Sequence, residues 1–523
     1  MSFKVDVFED EQLSADLLEW LVEERAVDIA GHFNKLWEYY ANRTVETNRL
    51  AGTSRKVNES SRCYVQAQEY GLPARITGVL RSPGAFFSGQ AVRDIQRKEV
   101  VIENDIAWRV NAAVDFLFGK MIGFASKSSS SQRRAEIESL IKAVFAANGG
   151  IGFFQDMAVL GSVYGFVDCI VRPGENILSR LANGGQARLT TGGQESSKHS
   201  SNHSFENVLQ LARTIDLELI EAPRALPVLE EDDYRAIRYY VQHFVQKRNR
   251  ISRNNTFLSR LLSSNKKRAD NRDSVAVTEI ISPSYWQRYE DKELVAEGQM
   301  SWGFLPIVHI QNIAQPYYYE GLSDVEPLIP LQDELNTRLS DRANRITFQS
   351  FKMYLGKGID GFENRPVAPG RMWCTDNPDA SIEEFGGDAK NPSEDTHIAE
   401  IREAIDKASG VTPVVAGILK EKVGNLTSAV ALRLTLIGML SKTERKKFTY
   451  GRGIESIARM VLTILDKAKV YRTDEAEREI EVVFQSPLPE DLKEKLEEAK
   501  IKKELGVPAE QVLKELGYDA VNE

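Results

Sequence analysis

Five apolar residues, Leu328, Leu331, Leu335, Leu339 and Ile346, fall on one narrow arc when the chain is wound at about 100° per residue. Asp333, Asn336, Thr337, Ser340, Asp341 and Asn344 fall on the opposite arc. The spacing predicts one amphipathic helix from Pro330 to about Gln349, with Pro330 suited to its first turn. Such a helix is about 30 Å long.

Its surroundings are equally patterned. Residues 356 to 392 are rich in Gly and Pro, with short β-type runs just before and within them, Phe351 to Leu355, Arg371 to Cys374 and Ser381 to Phe385. A second helix is predicted after Pro392, with Ser393 as N-cap and Glu394 and Asp395 where the helix dipole favours anions. Ile398, Ile401, Ile405 and Ala408 form its apolar stripe, and Ser409-Gly410 ends it. A Gly-containing loop covers 411 to 426. A long helical region, 428 to 468, follows; Gly438 and Gly451-Arg452-Gly453 predict a kink in it. A strand (Glu479 to Gln485) precedes two short charged helices within 490 to 521, split at Gly506-Val507-Pro508 and striped by Leu492, Leu496, Leu505, Val512, Leu513 and Leu516.

Upstream, helices are predicted over 10 to 42, Asp105 to Lys120 and Ala135 to Ala147, the last closed by Asn148-Gly149-Gly150. Phe153 to Leu160 continues helical and Tyr164 to Val171 reads as a strand. Residues 43 to 60 read as loop, and 183 to 204 as an exposed loop or disordered insertion. Strands are then predicted at Leu217 to Glu221, Ala236 to Val245, Val275 to Ile281, Glu293 to Gly298 and Leu305 to Ile310. The basic segment 247 to 273 interrupts them. It reads as a solvated loop with a short amphipathic helix, ahead of a nucleic-acid patch.

Composition excludes several classes. The formal charge of −9 over 523 residues argues against a protein that coats DNA. No apolar run approaches the roughly 18 residues of a membrane span. Three scattered cysteines, Cys63, Cys169 and Cys374, form no disulfide framework, and the start lacks a secretory h-region, so a reducing cytosol is expected. Walker A, H-E-x-x-H, G-x-S-x-G, EF-hand and zinc-spaced Cys/His patterns are absent. His199 and His203 lie in the low-complexity loop without a cysteine nearby. His309 is expected to be a satisfied core residue and Cys169 a buried structural one. Neither a cofactor nor a metal is expected, and the chain reads as structural rather than enzymatic.

The order of elements resembles the portal protein of tailed double-stranded DNA bacteriophages. The stretches carrying the likeness are Phe304-Leu-Pro-Ile-Val-His-Ile-Gln-Asn312, Gly321-Leu-Ser-Asp-Val-Glu-Pro327, Leu331-Gln-Asp-Glu-Leu-Asn336, Leu339-Ser-Asp341 and the Ile106 to Lys120 segment ending Phe-Gly-Lys. The resemblance implies an α+β portal fold. Its wing is residues 1–320 with 469–489, its stem helices are 321–349 and 393–410, and its clip is 350–392. The channel loop is 411–426, the kinked wing helix 427–468 and the crown 490–523.

It further implies a homo-oligomeric ring, usually a dodecamer, at one capsid vertex of the virion. The terminase large subunit would package double-stranded DNA through it, and a head-completion or adaptor protein would dock later. Major capsid and scaffolding proteins would be partners, the host cytoplasm the place of assembly, and no membrane is involved. Lys420, Lys422 and Asn425 would touch DNA from the channel loop; the alternative for the two lysines is pairing with acidic neighbours in the ring. Asp333, Asp341, Glu400 and Glu403 would line the channel. Arg365, Arg371, Trp373, Glu383 and Glu384 would form the clip docking surface. The stem segments carry five acids against three bases (322–350) and five against two (394–410); repeated around an axis, such charge repels phosphate. Two other readings stay open: a nucleic-acid-processing enzyme or its accessory subunit using segment 247–273, and a helical scaffold that never meets DNA.

Overall fold

The computed structural model describes residues 3–42, 101–182, 202–247, 274–300, 302–350, 353–357, 378–385, 392–416, 434–488, 492–508 and 512. Helices are α1 (Ala15–Trp20), α2 (Ala26–Ala41), α3 (Asp105–Phe118), α4 (Ser131–Ala147), α5 (Ile151–Tyr164), α6 (Glu175–Ala182) and α7 (Asn202–Ala212), then α8 (Ile329–Ser350), α9 (Pro392–Ser409), α10 (Ile437–Lys467) and α11 (Leu492–Glu504). Strands are β1 (Gly123–Ser126), β2 (Phe166–Arg172), β3 (Asp216–Ile220), β4 (Ala225–Leu229), β5 (Ile237–Lys247) and β6 (Ser274–Ile281), then β7 (Tyr285–Glu290), β8 (Glu293–Gln299), β9 (Ile307–Gln311), β10 (Met353–Lys357), β11 (Ser381–Phe385) and β12 (Ile480–Val483). The fold is mixed α and β. It divides into two compact units: residues 1–30, 111–322 and 440–523 form the first, and 31–110 and 323–439 the second.

The first unit holds a five-stranded antiparallel meander, β4-β5-β6-β7-β8, a three-stranded sheet, β3-β2-β9, and the pair β1-β12. One face of the meander is apolar: Leu226, Tyr239, Val241, Ile280 and Tyr289 pack with Phe3, Phe8, Leu18 and Leu21 of the amino-terminal segment. Phe3 meets Tyr289 edge-on at 5.0 Å. Arg172 of β2 ties the two sheets together, bonding Glu218 of β3 at 2.8 Å and both carboxylate oxygens of Glu279 of β6 at 2.9 and 2.8 Å. Arg224 completes the tie by donating to Glu218 at 3.0 Å and to Gln242 at 2.8 Å.

Helix α10 is continuous from Ile437 to Lys467, through Gly438, Gly451 and Gly453, and a turn at Leu436 separates it from helical residues 434–435. Glycines here permit close approach. A Cβ on Gly453 would lie 2.4 Å from Ile310 Cγ1, and one on Gly161 of α5 only 2.0 Å from the Tyr450 hydroxyl. Asn312, the last residue of the Phe304–Asn312 motif, locks this region. Its N–H donates to Gly165 O at 2.8 Å, its Nδ2 to Leu322 O at 2.9 Å, and its Oδ1 accepts from Tyr450 at 3.1 Å.

Other sequence expectations need correction. Helix α7 covers the end of the segment read as a loop, and β1, β4, β7 and α6 were not anticipated. Helix α9 begins at Pro392, so Ser393 lies in its first turn rather than at the N-cap. Ile346 and Ala408 are exposed rather than core-facing. His309 and Cys169 are buried or nearly so, as expected. No single described helix is long and apolar enough to cross a membrane; α4 and α5 pass that test only jointly, bent by 67°.

The second unit is built on α8 and α9. Leu328, Leu335, Leu339, Ile398, Ile401 and Ile405 are buried, the greater part of the two apolar stripes. Three polar residues of α8, Gln332, Asn336 and Ser340, are buried too, against residues 101–105. Ser340 Oγ accepts from Val101 N–H (2.9 Å), Asn336 Oδ1 from Glu103 N–H (3.0 Å) and Gln332 Oε1 from Asp105 N–H (3.1 Å). Gln332 Nε2 donates in turn to Glu103 O at 2.6 Å. The match is metric: four helical residues rise about 6 Å, and two residues of extended chain advance about 6.6 Å. Strands β10 and β11 pair antiparallel, with Met353 opposite Phe385.

Candidate functional site

The charged surface of α8 and α9 is the candidate site in the second unit. Its acids divide into two groups. Asp333 is half-buried and accepts the Tyr39 hydroxyl at 3.0 and 2.8 Å. Glu394 pairs with Arg345, which joins α9 to α8. Asp406 pairs with the buried Arg109, itself bonded to Asp105. These three carboxylates are structural. Asp395, 66% exposed, lies 3.1 Å from Arg342 at the surface.

The second group faces solvent. Glu400 and Glu403 have side chains 69% and 66% exposed. Glu403 pairs with Lys407 at 2.9 Å, and Glu400 lies 3.8 Å from His397. Asp341 is intermediate, 3.5 Å from Arg338. Glu334 receives Arg338 at 2.7 Å and His397 at 3.4 Å. Burial raises the Glu334 pKa, but Arg338 first, with the hydrogen bond to His397, outweighs it and holds the carboxyl below its ordinary value.

Of the four acids expected to act together, the structure therefore sets Glu400 and Glu403 on one exposed surface of α9, with Asp341 on α8 and Asp333 turned to Tyr39. Lys420, Lys422 and Asn425 lie outside the described residues, as do Arg365, Arg371 and Trp373. Glu383 and Glu384 sit on β11 opposite Leu355 and Tyr354. Most of segment 247–273 also lies outside. A cavity of about 420 Å³ opens beside Glu403, Asp406, Thr412 and Met439. Its carboxylates are engaged by Lys407 and Arg109, so it presents no free acid–base pair. Among the described residues no group of three or more His, Cys, Asp or Glu is placed to hold a metal ion.

Sequence reasoning missed one cluster in the first unit. The fully buried Asp168 accepts Tyr240 at 2.7 Å, Tyr319 at 3.0 Å and His309 Nδ1 at 2.7 Å, while His309 Nε2 faces Tyr319 O at 2.7 Å. Burial first, then the Asp168 charge, push both tyrosine hydroxyls well above the usual phenol range. Burial likewise pushes the adjacent Cys169 thiol up, which keeps it unreactive. Asp168, Tyr240 and Tyr319 are buried, and the cluster joins β2, β5 and β9. Only the Asp168-Cys169 pair on an apolar strand signalled it in sequence.

Comparison with known proteins follows the same lines. Residues 203–519 match the family described as phage portal protein, SPP1 Gp6-like. No curated protein matches the chain. Among solved structures, a chain from the virion of a native gene transfer agent (GTA) particle aligns at 12% identity and a TM-score of 0.40, over 79% of this chain and 89% of that one.

Proposed function

The chain belongs to the SPP1 Gp6-like family of phage portal proteins, and from that premise we propose that its ring passes double-stranded DNA into and out of a capsid. Membership makes it a structural virion protein rather than an enzyme, with a portal role in the capsid and an oligomeric ring as its assembled form. The finer reading adds packaging by the terminase motor, later ejection, a dodecameric ring, docking of a head-completion protein at the clip, and assembly in the host cytoplasm.

The observation that carries the proposal is the family match across 203–519, a span that contains both stem helices and the long helix α10. In this reading α8 and α9 are the stem, 350–392 the clip, 411–426 the channel loop, 427–468 the wing helix and 490–523 the crown. The surface carboxylates of α8 and α9 support it. Repeated around a shared axis, Glu400, Glu403 and Asp341 make a lining that repels phosphate, which favours sliding over sticking. Lys420 and Lys422 supply the transient attractive contacts.

Immunogold labelling of intact virions with an antibody to this chain tests the proposal. Label at a single vertex is expected. Label distributed over all vertices, or absent from particles, contradicts it.

A further inference from the structure

Helix α10 carries an arginine row that no function discussed so far uses. Arg445, Arg452 and Arg459 are exposed and spaced by seven residues. Seven residues fall only about 20° short of two full turns, so the three side chains stand nearly in line. Phe448, 58% exposed, lies between the first two, with the Arg452 guanidinium 4.0 Å over its ring. The other side of the helix is core: Tyr450, Ile454, Ile457, Val461 and Leu465 are buried.

No ion pair reaches these arginines among the described residues. The acids on the same helix are engaged elsewhere. Glu444 binds Lys447 at 2.8 Å, Glu455 accepts the Val482 N–H at 3.2 Å, and Asp466 binds Arg478 at 2.8 Å. An exposed aromatic in a row of unpaired arginines is the composition of an interface rather than of an ordinary solvated face.

The same unit carries a surface of opposite charge. The turn between β4 and β5 reads Glu230-Glu231-Asp232-Asp233, all exposed. The one hydrogen bond to these four side chains among the described residues is local: Asp233 accepts the Arg235 backbone N–H at 2.9 Å. Four consecutive residues span at most about 10 Å. Successive arginines of the row are separated by a rise of about 10.5 Å. Glu400 and Glu403 fit the row less well, because His397 and Lys407 already face them.

We propose that the Arg445–Arg459 face of α10 docks the acidic 230–233 turn of a second copy of this chain. The inference rests on the ring reading above. A closed ring uses one heterologous contact, in which a patch on each subunit meets a different patch on the next. Two uncompensated patches of opposite sign on one unit meet that requirement. They also bias subunits toward head-to-tail encounter, because like patches repel.

Charge exchange in the full-length protein tests it. Ring content is measured by negative-stain imaging and native mass at about 0.1 M salt for four proteins: wild type, R445E/R452E/R459E, E230K/E231K/D232K/D233K, and the variant combining both sets. Each single-patch reversal is expected to lower ring content about tenfold or more, and the combination to restore it. A milder R445Q/R452Q/R459Q variant, with its fold checked by circular dichroism, is expected to form rings that dissociate at lower salt than wild type.

Wild-type ring content in either reversal overturns the proposal, as does failure of the combination to recover. So does a result in which the arginine reversal abolishes binding of a duplex oligonucleotide but leaves rings intact; that outcome assigns the row to DNA. Wild-type protein that forms no rings under any salt overturns the portal reading along with the docking surface. Intact wild-type rings with indifferent variants overturn only the docking surface.

Discussion

The Asn336 side chain accepts the backbone N–H of Glu103 at 3.0 Å, inside a helix face that composition alone marks as solvent-facing. With Gln332 and Ser340 it turns α8 into a polar track for residues 101–105. Removing one rung leaves a partly buried amide without that partner. Asn336→Ala is therefore expected to cost about 1–3 kcal/mol. Hydrogen exchange at the Glu103 amide is expected to accelerate, with Val101 and Asp105 following. Unchanged protection at these three amides contradicts the track.

Glycine substitutions separate close approach from flexibility. Gly161→Ala and Gly453→Ala place a Cβ 2.0 Å from the Tyr450 hydroxyl and 2.4 Å from Ile310 Cγ1. Each is expected to destabilise by about 1–3 kcal/mol in urea denaturation through overpacking. Gly31 lies within α2 with nothing within 4 Å of its added Cβ. Gly31→Ala is expected to stabilise by about 0.5–1 kcal/mol, because alanine loses less backbone entropy in a helix.

The ion-pair networks give stability a defined pH dependence. Burial raises the Glu218 carboxyl, but Arg172 and Arg224 outweigh it and bring it below its usual 4.5. A group with a lowered folded pKa stabilises above its unfolded value and loses that contribution as pH falls through the folded one. The urea midpoint is expected to fall below about pH 4.5, and Glu218→Gln to flatten that slope. At the alkaline end the sign reverses. Tyr240 and Tyr319, raised well above 10.0, keep the fold stable up to the ordinary phenol range and oppose it beyond. Spectroscopic titration is expected to show them ionising only as the protein unfolds.

The channel loop gives a functional prediction. Lys420→Ala combined with Lys422→Ala is expected to shorten the packaged DNA, measured by gel electrophoresis of DNA extracted from particles. Wild-type genome length in the double variant removes any role for these two lysines in contacting DNA.

Much of this architecture was legible from periodicity. The apolar arcs of α8 and α9 predicted two helices to within a few residues, and short β-type runs placed nine of the described strands. What escaped was what the polar residues do. Gln332, Asn336 and Ser340 have a helical spacing that also suits a solvated face; their partner segment lies more than 200 residues away and leaves no trace in the local pattern. The glycines of α10 carry the same ambiguity, since a helix breaker and a close-approach residue look identical in sequence. Strand β4 was obscured by Pro227, which its edge position tolerates. The seven-residue spacing of Arg445, Arg452 and Arg459 also suits a solvated face; only exposure and the lack of ion pairs among the described residues set the row apart.

The central claim is that this chain closes into a portal ring. Native mass measurement of the purified full-length protein, backed by negative-stain imaging, tests it most directly. The account predicts a single closed ring of about twelve subunits with an open axis. A monomer or dimer at every concentration and salt tried contradicts it.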